Sequence, residues 1–213
     1  MNIVLLGAPA SGKGTQAELL AKKFNLYLLQ TGALSRELSK SDERIEEIIN
    51  SGKLIPQEEM TMHVINFLTK TKPDLKDILF EGFPRFISQY EALESFLKNK
   101  GDDIDAIISL DISLEEAVVR ISSRRTCSKC GKTYNTITNP APNGVCECGG
   151  ELVQRKDDLP ESVKVRFEYY EDNTKKLIEH VEKLGKLTRV DGTQSIEEIQ
   201  KQLVDIVEKV KLK

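Results

Sequence analysis

The feature that most constrains this chain is a glycine-rich loop near its first residue. Residues 7–13 have the sequence Gly-Ala-Pro-Ala-Ser-Gly-Lys and stand between a short apolar run at residues 3–6 and a helical pattern. A strand, this loop spacing and a helix together predict a phosphate-binding loop, in which backbone N–H groups and the helix N-terminus surround phosphate oxygens. Lys13 is then expected to neutralise the phosphates. The alternative is a strand-to-helix turn that binds no ligand.

The other apolar runs extend this beginning into a layered α/β fold. They lie at residues 26–29, 78–80, 107–110 and 187–190. Helical patterns separate them, which is the order of βα units around a buried parallel sheet. The first helix places Ala17, Leu20, Ala21 and Phe24 on one face that can cover the sheet. We therefore predict a doubly wound α/β fold with a five-stranded parallel sheet.

Helix starts and one long helix are also marked in the sequence. Ser113 with Glu116 and Ser195 with Glu198 match the capping box, in which side chains bond the unpaired N–H groups of a helix start. A long helix is predicted over residues 160–185, from a proline to a glycine. Its apolar stripe is expected to contain Val163, Phe167, Tyr170, Leu177, Val181 and Leu184.

Size and charge exclude several classes of protein. At 213 residues, with 39% apolar and 31% charged residues, the chain can build one substantial core and small inserted lobes. A net charge of -3 disfavours a protein whose main task is binding nucleic acid, because that task needs a dense cationic surface. No apolar run reaches the ~18 residues of a membrane span and no leader pattern is present, so we expect a cytoplasmic protein without nucleic-acid or membrane partners.

Two stretches interrupt the order of strands and helices. Residues 30–55 are helical in character and rich in charge, whereas residues 126–154 contain Pro140, Pro142, several glycines and all four cysteines. Both stretches are expected to be insertions on the core. Cysteines clustered in so short a stretch indicate a metal site, because the cysteines of a secreted disulfide framework are spread along the chain.

The loop departs from the strict phosphate-binding motif at one position, and the departure is informative. The motif has Ser or Thr directly after the lysine, whereas this chain has Gly14 followed by Thr15. The string Gly-Lys-Gly-Thr-Gln at residues 12–16 resembles the signature of nucleoside monophosphate kinases, above all the adenylate kinases. Further motif positions of that family match in order: Thr31-Gly32 with Arg36, residues 52–56, residues 81–85 with Gln89, Arg120 with Arg124, residues 155–158, Arg166 and residues 191–193.

The resemblance implies a fold of the P-loop kinase type with two inserted lobes. Its core would comprise residues 1–29, 56–122 and 159–213. Residues 30–55 would form a small helical insertion that binds the nucleoside monophosphate (NMP), and residues 123–158 a lid with a zinc ribbon. The implied activity is reversible transfer of the terminal phosphate of Mg·ATP to AMP, giving two ADP. A monomer whose partners are these small nucleotides is expected.

The resemblance also implies roles for individual residues. For ATP they are Ala10, Ser11, Gly12, Lys13, Gly14, Thr15, Arg120, Arg124, Thr133, Tyr134 and Gln194. For AMP, with Gln89 on the adenine edge, they are Thr31, Arg36, Lys53, Leu54, Ile55, Gly82, Phe83, Pro84, Arg85, Gln89, Arg155 and Arg166. The implied catalytic set is Lys13, Arg85, Arg124, Arg155 and Arg166.

Arginine suits phosphoryl transfer because charge spreads over the transferred group and a planar guanidinium bridges phosphate oxygens in pairs. Six of the nine arginines lie in the matched motifs. Arg120 and Arg124 are four residues apart, which predicts that they share one helix face. Surface pairing with Glu116 is the alternative role for these two side chains.

Three positions differ from the commoner family pattern. Ala33 and Glu81 stand where aspartates are usual, and Ala10 replaces a frequent glycine. The aspartate that Glu81 replaces helps to hold the water shell of magnesium in the family, so altered metal geometry is expected. None of the three removes a phosphate-binding group, and the reaction is therefore expected to be unchanged.

The cysteines resemble the four-cysteine zinc ribbon in the longer lid of many bacterial-type adenylate kinases. They occur as Cys127-x-x-Cys130 and Cys146-x-Cys148, and the second pair is one residue shorter than usual. Its last thiolate can therefore be strained, or replaced by Glu147. Four thiolates around Zn²⁺ form a closed, structural site that orders a lobe too small for its own core. Four reduced thiols without metal, or a redox pair, are the alternatives.

Two other functions are compatible with parts of this sequence. A kinase acting on UMP or CMP, or using GTP, would have the same fold, although Gln89 and the long lid favour AMP and ATP by resemblance. A P-loop ATPase or a zinc-ribbon module that binds nucleic acid is the second. Low aromatic content, negative net charge and arginines that lie mostly in the nucleotide motifs argue against it.

Overall fold

Parallel strands form the central layer of the molecule, as the apolar runs predict. The computed structural model describes residues 1–212. Its strands are β1 (Asn2–Gly7), β2 (Tyr27–Gln30), β3 (Ile78–Glu81), β4 (Ala106–Asp111), β5 (Arg124–Cys127), β6 (Thr133–Asn135), β7 (Leu152–Val153) and β8 (Leu187–Asp191). Five of them form one sheet in the order β2-β3-β1-β4-β8, with every neighbouring pair parallel. β1 is therefore central, and the phosphate loop follows its carboxyl end.

Helices cover both faces of this sheet. They are α1 (Lys13–Phe24), α2 (Thr31–Leu38), α3 (Glu43–Asn50), α4 (Gln57–Thr71), α5 (Ile87–Lys98), α6 (Leu114–Ser122), α7 (Pro160–Tyr169), α8 (Lys175–Lys183) and α9 (Ile196–Lys211). Ile3 and Leu5 of β1 join an apolar cluster with α1 and α9, whereas Val4 and Leu6 join a second cluster with α4, α5 and α8. A strand buried on both faces is continuously apolar, which is why its position was predictable. The doubly wound α/β prediction is confirmed.

The two predicted helix starts are present. Ser195 caps α9, and its hydroxyl accepts a hydrogen bond from the Glu198 N–H while the Glu198 carboxylate accepts one from the Ser195 N–H. At α6, the Ser113 hydroxyl accepts from the Glu116 N–H at 3.2 Å. Each contact satisfies an N–H group that has no partner within its helix.

The long helix begins at Pro160 and ends at Lys183, and a π-helical turn (Tyr170–Thr174) joins α7 to α8. Most of its predicted stripe is buried or half-buried. Leu184 is the exception, because it is 50% exposed. Its assignment to the stripe was wrong, since the helix has already ended and Gly185 continues with a φ of 69°.

Two segments lie outside the central sheet, apart from Gln30, which is the last residue of β2. Residues 30–55 contain α2 and α3, and residues 123–158 contain β5, β6 and β7, which form a separate antiparallel sheet in the order β6-β5-β7. Each segment follows a core strand or helix near the carboxyl edge of the parallel sheet, where α/β folds place their ligands. Among the described residues, no helix combines the length and apolarity of a membrane span.

Candidate nucleotide site and cysteine centre

The phosphate loop curls around the side chain of Lys13. The Lys13 Nζ donates hydrogen bonds to the carbonyl oxygens of Gly7 and Ala8 at 2.8 and 2.6 Å, and to Ser11 Oγ at 3.3 Å. Gly12, directly before α1, has a φ of 93°, a left-handed conformation that glycine adopts without strain. The ammonium group thus lies at the N-terminus of α1, where the helix dipole also favours an anion.

The other loop residues predicted to contact ATP lie next to Lys13 in the loop and in the first turn of α1. Ser11 is fully buried, and Gly14 and Thr15 lie in the first turn of α1. Ala10 has a φ of 60° and packs against the small apolar cluster between α6 and α7. The family's more frequent glycine would adopt this φ more easily, so packing of the Ala10 methyl group offsets some strain.

The charge state of Lys13 depends on its surroundings. Burial lowers the pKa of Lys13 to about 7, Glu81 acts in the opposite direction, and Arg85, Arg166 and Arg124 lower it further. Each of these effects requires the charged group to lie near Lys13. The structure therefore brings together four of the five residues predicted to be catalytic, around a place where an anion would be stabilised.

A cleft opens between the helical insertion and the end of β3. Ten of the twelve residues predicted for AMP line it: Thr31, Arg36, Lys53, Leu54, Ile55, Gly82, Arg85, Gln89, Arg155 and Arg166. Phe83 and Pro84 are absent from the lining, and the Phe83 ring lies in the core with 1% exposure. Sequence reasoning missed Ile49, Met60 and Phe86, which add apolar surface to the cleft.

Gln89 lines the cleft but its amide is already engaged with the backbone. It is 3% exposed, its Oε1 accepts from the Arg85 N–H at 2.9 Å, and its Nε2 donates to the Gln57 carbonyl at 3.1 Å. Arg85 in turn donates from Nε to the Gly82 carbonyl at 2.8 Å. Gln89 thus holds the backbone of the Arg85 segment in addition to facing the cleft.

Two adjacent carboxylates hold three of the predicted catalytic arginines. The Asp158 side chain is fully buried and accepts from Arg124 Nε at 2.7 Å and from Arg166 Nη1 at 2.9 Å. Asp157 accepts from Arg155 Nε at 2.8 Å and from Arg166 Nη1 at 3.0 Å. Charge-assisted pairs of this kind restrict guanidinium orientation.

No role was assigned to these two aspartates from the sequence. Their only signal was their place in the matched run at residues 155–158. The partner Arg124 lies 34 residues away from Asp158. Contacts over that distance depend on the tertiary fold and leave no local pattern.

Burial and repulsion from neighbouring arginines lower the pKa of Arg166 and Arg36, whereas, despite burial, hydrogen bonds to Asp158 raise the pKa of Arg124. Burial, followed by the nearby Arg124, lowers the pKa of Arg166 to about 10, although Asp157 and Asp158 oppose the shift. Burial and then Arg155 lower the pKa of Arg36. The guanidinium groups remain charged at neutral pH, and their crowding makes this region favourable for phosphate groups.

The structure corrects the relation between Arg120 and Arg124. α6 ends at Ser122, and Arg124 begins β5, where it pairs with Asn135 of β6. The prediction that the two arginines share a helix face was therefore wrong, because strand pairing takes over before residue 124. Arg120 forms the alternative ion pair, with Glu116 at 2.6 Å, and also donates to the Gly192 carbonyl at 2.8 Å.

The last predicted ATP contacts lie in two places. Gln194 follows the turn that Arg120 reaches, and its Oε1 accepts from Gln202 Nε2 at 2.5 Å. Thr133 is exposed on β6, whereas Tyr134 is 4% exposed and directs its hydroxyl toward Cys146. The Tyr134 side chain is thus buried beside the cysteines of residues 123–158.

Known proteins are similar to this chain in sequence over nearly its whole length. A family model described as adenylate kinase matches residues 5–186. The chain belongs to the adenylate kinase family. The adenylate kinase of Fervidobacterium nodosum is 39% identical over 213 aligned residues, which cover 97% of each chain. That of Archaeoglobus fulgidus is 39% identical over 217 aligned residues, with 99% of this chain and all of the relative covered. That of Acetivibrio thermocellus is 37% identical over 219 aligned residues and the full length of both.

The predicted family and the prediction of an adenylate kinase enzyme are thus confirmed. The five-stranded parallel sheet with flanking helices is the kinase fold that the resemblance implies. A kinase acting on nucleotides is consistent with both the phosphate loop and the arginine-lined cleft.

The lid of this adenylate kinase holds a compact group of sulfur atoms. The Sγ atoms of Cys127, Cys130, Cys146 and Cys148 all lie within 4.8 Å of one another. Three of the distances between them are 3.5 Å. Four thiolates bound tetrahedrally at ~2.3 Å would be ~3.8 Å apart, so the donor set fits Zn²⁺.

The short second pair keeps both of its thiols in this group. The Gly149 N–H bonds the Cys146 carbonyl at 2.8 Å, one residue earlier than the Gly131 N–H, which bonds the Cys127 carbonyl at 3.0 Å. A tighter turn therefore compensates for the missing residue. Glu147 does not replace a thiolate, because its carboxylate pairs with Lys132 Nζ at 2.6 Å.

Proposed function

We propose that this adenylate kinase transfers the terminal phosphate of Mg·ATP to AMP reversibly, producing two ADP. The observation that carries the proposal is that Arg85, Arg124 and Arg166 lie near enough to Lys13 to lower its pKa, and that Arg85 and Arg166 also line the cleft. Transfer between two nucleotides needs two anion sites that converge, with positive charge around the moving phosphate. Both requirements are supported by this arrangement.

ATP is assigned to the phosphate-loop side. Backbone N–H groups of the loop would bind its phosphates, Lys13 would neutralise them, and Arg120 with Gln194 would lie beside the rest of the nucleotide. Arg124 would approach from the lid. Lys13 must leave its bonds to loop carbonyls to reach a phosphate, and a phosphate oxygen would replace them with stronger, charge-assisted bonds.

AMP is assigned to the cleft. Arg36 and Arg85 would bind its phosphate, and the apolar surface at residues 54–55 would contact the rest of the nucleotide. Arg155 and Arg166 would bridge from AMP to the transferred group. No general base is required, because positioning and positive charge supply most of the stabilisation in phosphoryl transfer.

The inserted lobes would act as covers. We assign residues 1–29, 56–122 and 159–213 to the core, residues 30–55 to the NMP-binding insertion and residues 123–158 to the lid. Water competes with AMP for the phosphate, so closure of both lobes would exclude hydrolysis while it delivers the arginines. Opening for product release would then limit turnover.

Two metals have separate roles in this proposal. Mg²⁺ would arrive with ATP, and Glu81 would hold its water shell, because this carboxylate is close enough to Lys13 to raise its pKa. Zn²⁺ would be bound by the four cysteine thiolates and would order the lid without taking part in the reaction. Cysteines without disulfide bonds suit a reducing compartment, so a cytoplasmic location is proposed. A monomer is proposed as well.

A coupled assay for ADP formation tests the reaction. ATP with AMP should be the fastest pair in a panel that also contains UMP and CMP as acceptors and GTP as donor. A faster rate with UMP or CMP would overturn the choice of acceptor. ATP hydrolysis that is unaffected by any acceptor would instead indicate an ATPase.

Gln89 gives a sharper test of the acceptor site. Gln89→Ala should raise the KM for AMP by roughly 10-fold or more and leave the KM for ATP nearly unchanged. Loss of the Gln89 amide leaves the Arg85 N–H and the Gln57 carbonyl beside the cleft without a partner. An unpaired group of this kind costs about 1–3 kcal/mol. Initial rates with each nucleotide varied in turn measure both constants. A larger effect on ATP would reverse the assignment of the two sites.

A further inference from the structure

Tyr134 lies where the small sheet of the lid meets the cysteine centre. Its ring packs in a cluster with Cys127 and Cys146 and is 4% exposed. Its hydroxyl oxygen lies 3.4 Å from Cys146 Sγ. A metal-bound thiolate carries no proton, so the phenol would be the donor of this hydrogen bond in the metal-loaded lid.

This placement differs from that of a side chain that contacts a nucleotide. The phenol has one polar atom, and that atom faces a sulfur. The backbone of Tyr134 is paired with Arg125 between β5 and β6. The buried ring and its hydroxyl therefore serve the cysteine centre.

The ion pair between Lys132 and Glu147 also lies beside the short cysteine pair, but it is less suited to orient a thiolate. Lys132 Nζ lies 5.4 Å from the centroid of the Tyr134 ring and bonds Glu147, the residue between the cysteines of the short pair. The Lys132 and Glu147 side chains are 44% and 61% exposed. Exposed pairs of this kind contribute little because water screens them. The buried hydroxyl is the better candidate for orienting a thiolate.

Two of the sulfur atoms link the pairs, because Cys148 Sγ lies 3.5 Å from Cys127 Sγ, and Cys146 is the one that the Tyr134 hydroxyl reaches. Its sulfur is 3.5 Å from both Cys130 and Cys148, so it links the two pairs. It also begins the pair that lacks one residue, where fewer backbone angles are free to adjust the sulfur position.

We propose that Tyr134 is a positioning residue of the metal centre, which holds Cys146 through its hydroxyl group. This inference rests on the proposed zinc site. Groups that hydrogen-bond to metal ligands fix ligand orientation, and their loss typically weakens metal binding about 10–100-fold. The same loss is expected here when only the hydroxyl is removed.

The test compares zinc affinity in Tyr134→Phe and in the parent chain by competition with a chromophoric chelator. Phenylalanine keeps the ring in the cluster and removes only the hydroxyl. Tyr27→Phe is the matched control, because the Tyr27 hydroxyl bonds Thr71 outside the lid. We expect about 10-fold or more loss of zinc affinity in Tyr134→Phe, no change in Tyr27→Phe, and altered sulfur-to-cobalt absorption in cobalt-loaded Tyr134→Phe.

Introducing Tyr134→Phe into a Cys146→Ser variant distinguishes loss of the hydrogen bond from general loosening of the lid. In Cys146→Ser the acceptor sulfur is gone, so Tyr134→Phe should have little further effect on metal affinity. An undiminished effect there, or equal zinc affinity in the parent and Tyr134→Phe, would overturn the role of Tyr134. A raised KM for ATP with unchanged zinc affinity would overturn it in favour of nucleotide contact. A parent chain that binds no zinc would overturn the zinc site itself.

Discussion

The phosphate loop and the cysteine lobe are both expected to place charge around the same phosphates, yet different interactions hold them. The loop follows β1, which is buried along its whole length and has a parallel neighbour on each side. In the lobe, residues 123–158, the buried cluster contains Cys127, Tyr134 and Cys146 with two partly buried neighbours. The phosphate loop is therefore stabilised by an extensive apolar core, whereas the lobe is stabilised by a few side chains.

These different stabilising interactions predict which treatment unfolds each region. Burial of one large aliphatic side chain stabilises a fold by about 1.5–3 kcal/mol, and many such residues pack on both faces of the central sheet. The lobe has no comparable cluster among its described residues. Zinc binding to convergent thiolates can replace it, since structural zinc sites contribute on the order of 10 kcal/mol. The loop should therefore persist until global unfolding, whereas the lobe should respond to metal removal alone.

Cys130→Ser should separate the two regions most strongly. Loss of one of four thiolates should remove bound zinc, disorder the lobe and lower the Tm, while the core remains folded and AMP phosphorylation stays measurable at low temperature. Most of a stabilisation on the order of 10 kcal/mol concerns the lobe itself, so only part should appear in the free energy of global unfolding.

Elemental analysis, thermal melts and the coupled assay measure these three effects. About one zinc per chain is expected in the parent and none in the variant. A folded variant without activity at any temperature would contradict a purely structural metal, and so would a parent purified under reducing conditions without zinc.

Lys13→Met should give the opposite result, with the chemistry lost and the fold kept. Removing one preorganised charge from the transferred group typically lowers kcat by about 10²–10³-fold, or roughly 3–4 kcal/mol. The Tm should change little, because loss of the hydrogen bonds from Lys13 to the loop opposes the gain from no longer burying an ammonium group. Parallel kcat and melting measurements test this. Near-normal turnover by the folded variant would exclude the loop from the mechanism.

The central sheet and the phosphate loop were predictable from the sequence for a physical reason. A parallel strand with both faces buried must be apolar throughout, and glycine at position 12 allows the left-handed φ that the loop requires. These are local requirements, and each leaves a local pattern.

The arrangement of the arginines was not predictable in the same way. Arg124 continues a helical spacing from Arg120, yet it belongs to β5 because β6, about ten residues further on, supplies its backbone partner. The buried carboxylate of Asp158 and the contact from Gln89 to the Gln57 carbonyl also join distant residues. Such contacts are decided by tertiary packing, so a side chain's role could be inferred only through family resemblance.

The close approach of Gly150 to the sulfur atoms offers a finer comparison within the lobe. A Cβ atom at position 150 would lie 2.4 Å from Cys127 Sγ, whereas one at position 149 would meet nothing within 4 Å. Gly150→Ala should therefore weaken zinc binding by roughly 10–100-fold, as expected for a disturbed ligand shell. Gly149→Ala should cost only about 1–2 kcal/mol of stability, because its φ is 74°.

Chelator competition and melting curves distinguish these two glycine variants. Activity measured at saturating zinc should recover in Gly150→Ala, since the phosphate loop is unaffected. Equal zinc affinities in the two variants would mean that Cys127 Sγ can move without loss of zinc binding. That result would contradict the view that zinc coordination orders the lobe in place of a packed core.

The smallest expected effect concerns protons at the phosphate loop. Burial lowers the pKa of Lys13 to about 7 from an ordinary 10.5, so near pH 8 much of the free enzyme carries a neutral Lys13. Phosphate oxygens favour the ammonium form and raise its pKa, so binding a non-hydrolysable Mg·ATP analogue near pH 8 should take up a fraction of a proton. Near pH 6 the lysine is already charged, and uptake should be close to zero.

Calorimetry in buffers of different ionisation enthalpy measures the proton uptake. It should vanish in Lys13→Met and persist in Cys130→Ser, because the loop owes its environment to the core and not to the metal. Equal uptake at both pH values, or uptake that survives Lys13→Met, would assign the proton to another group.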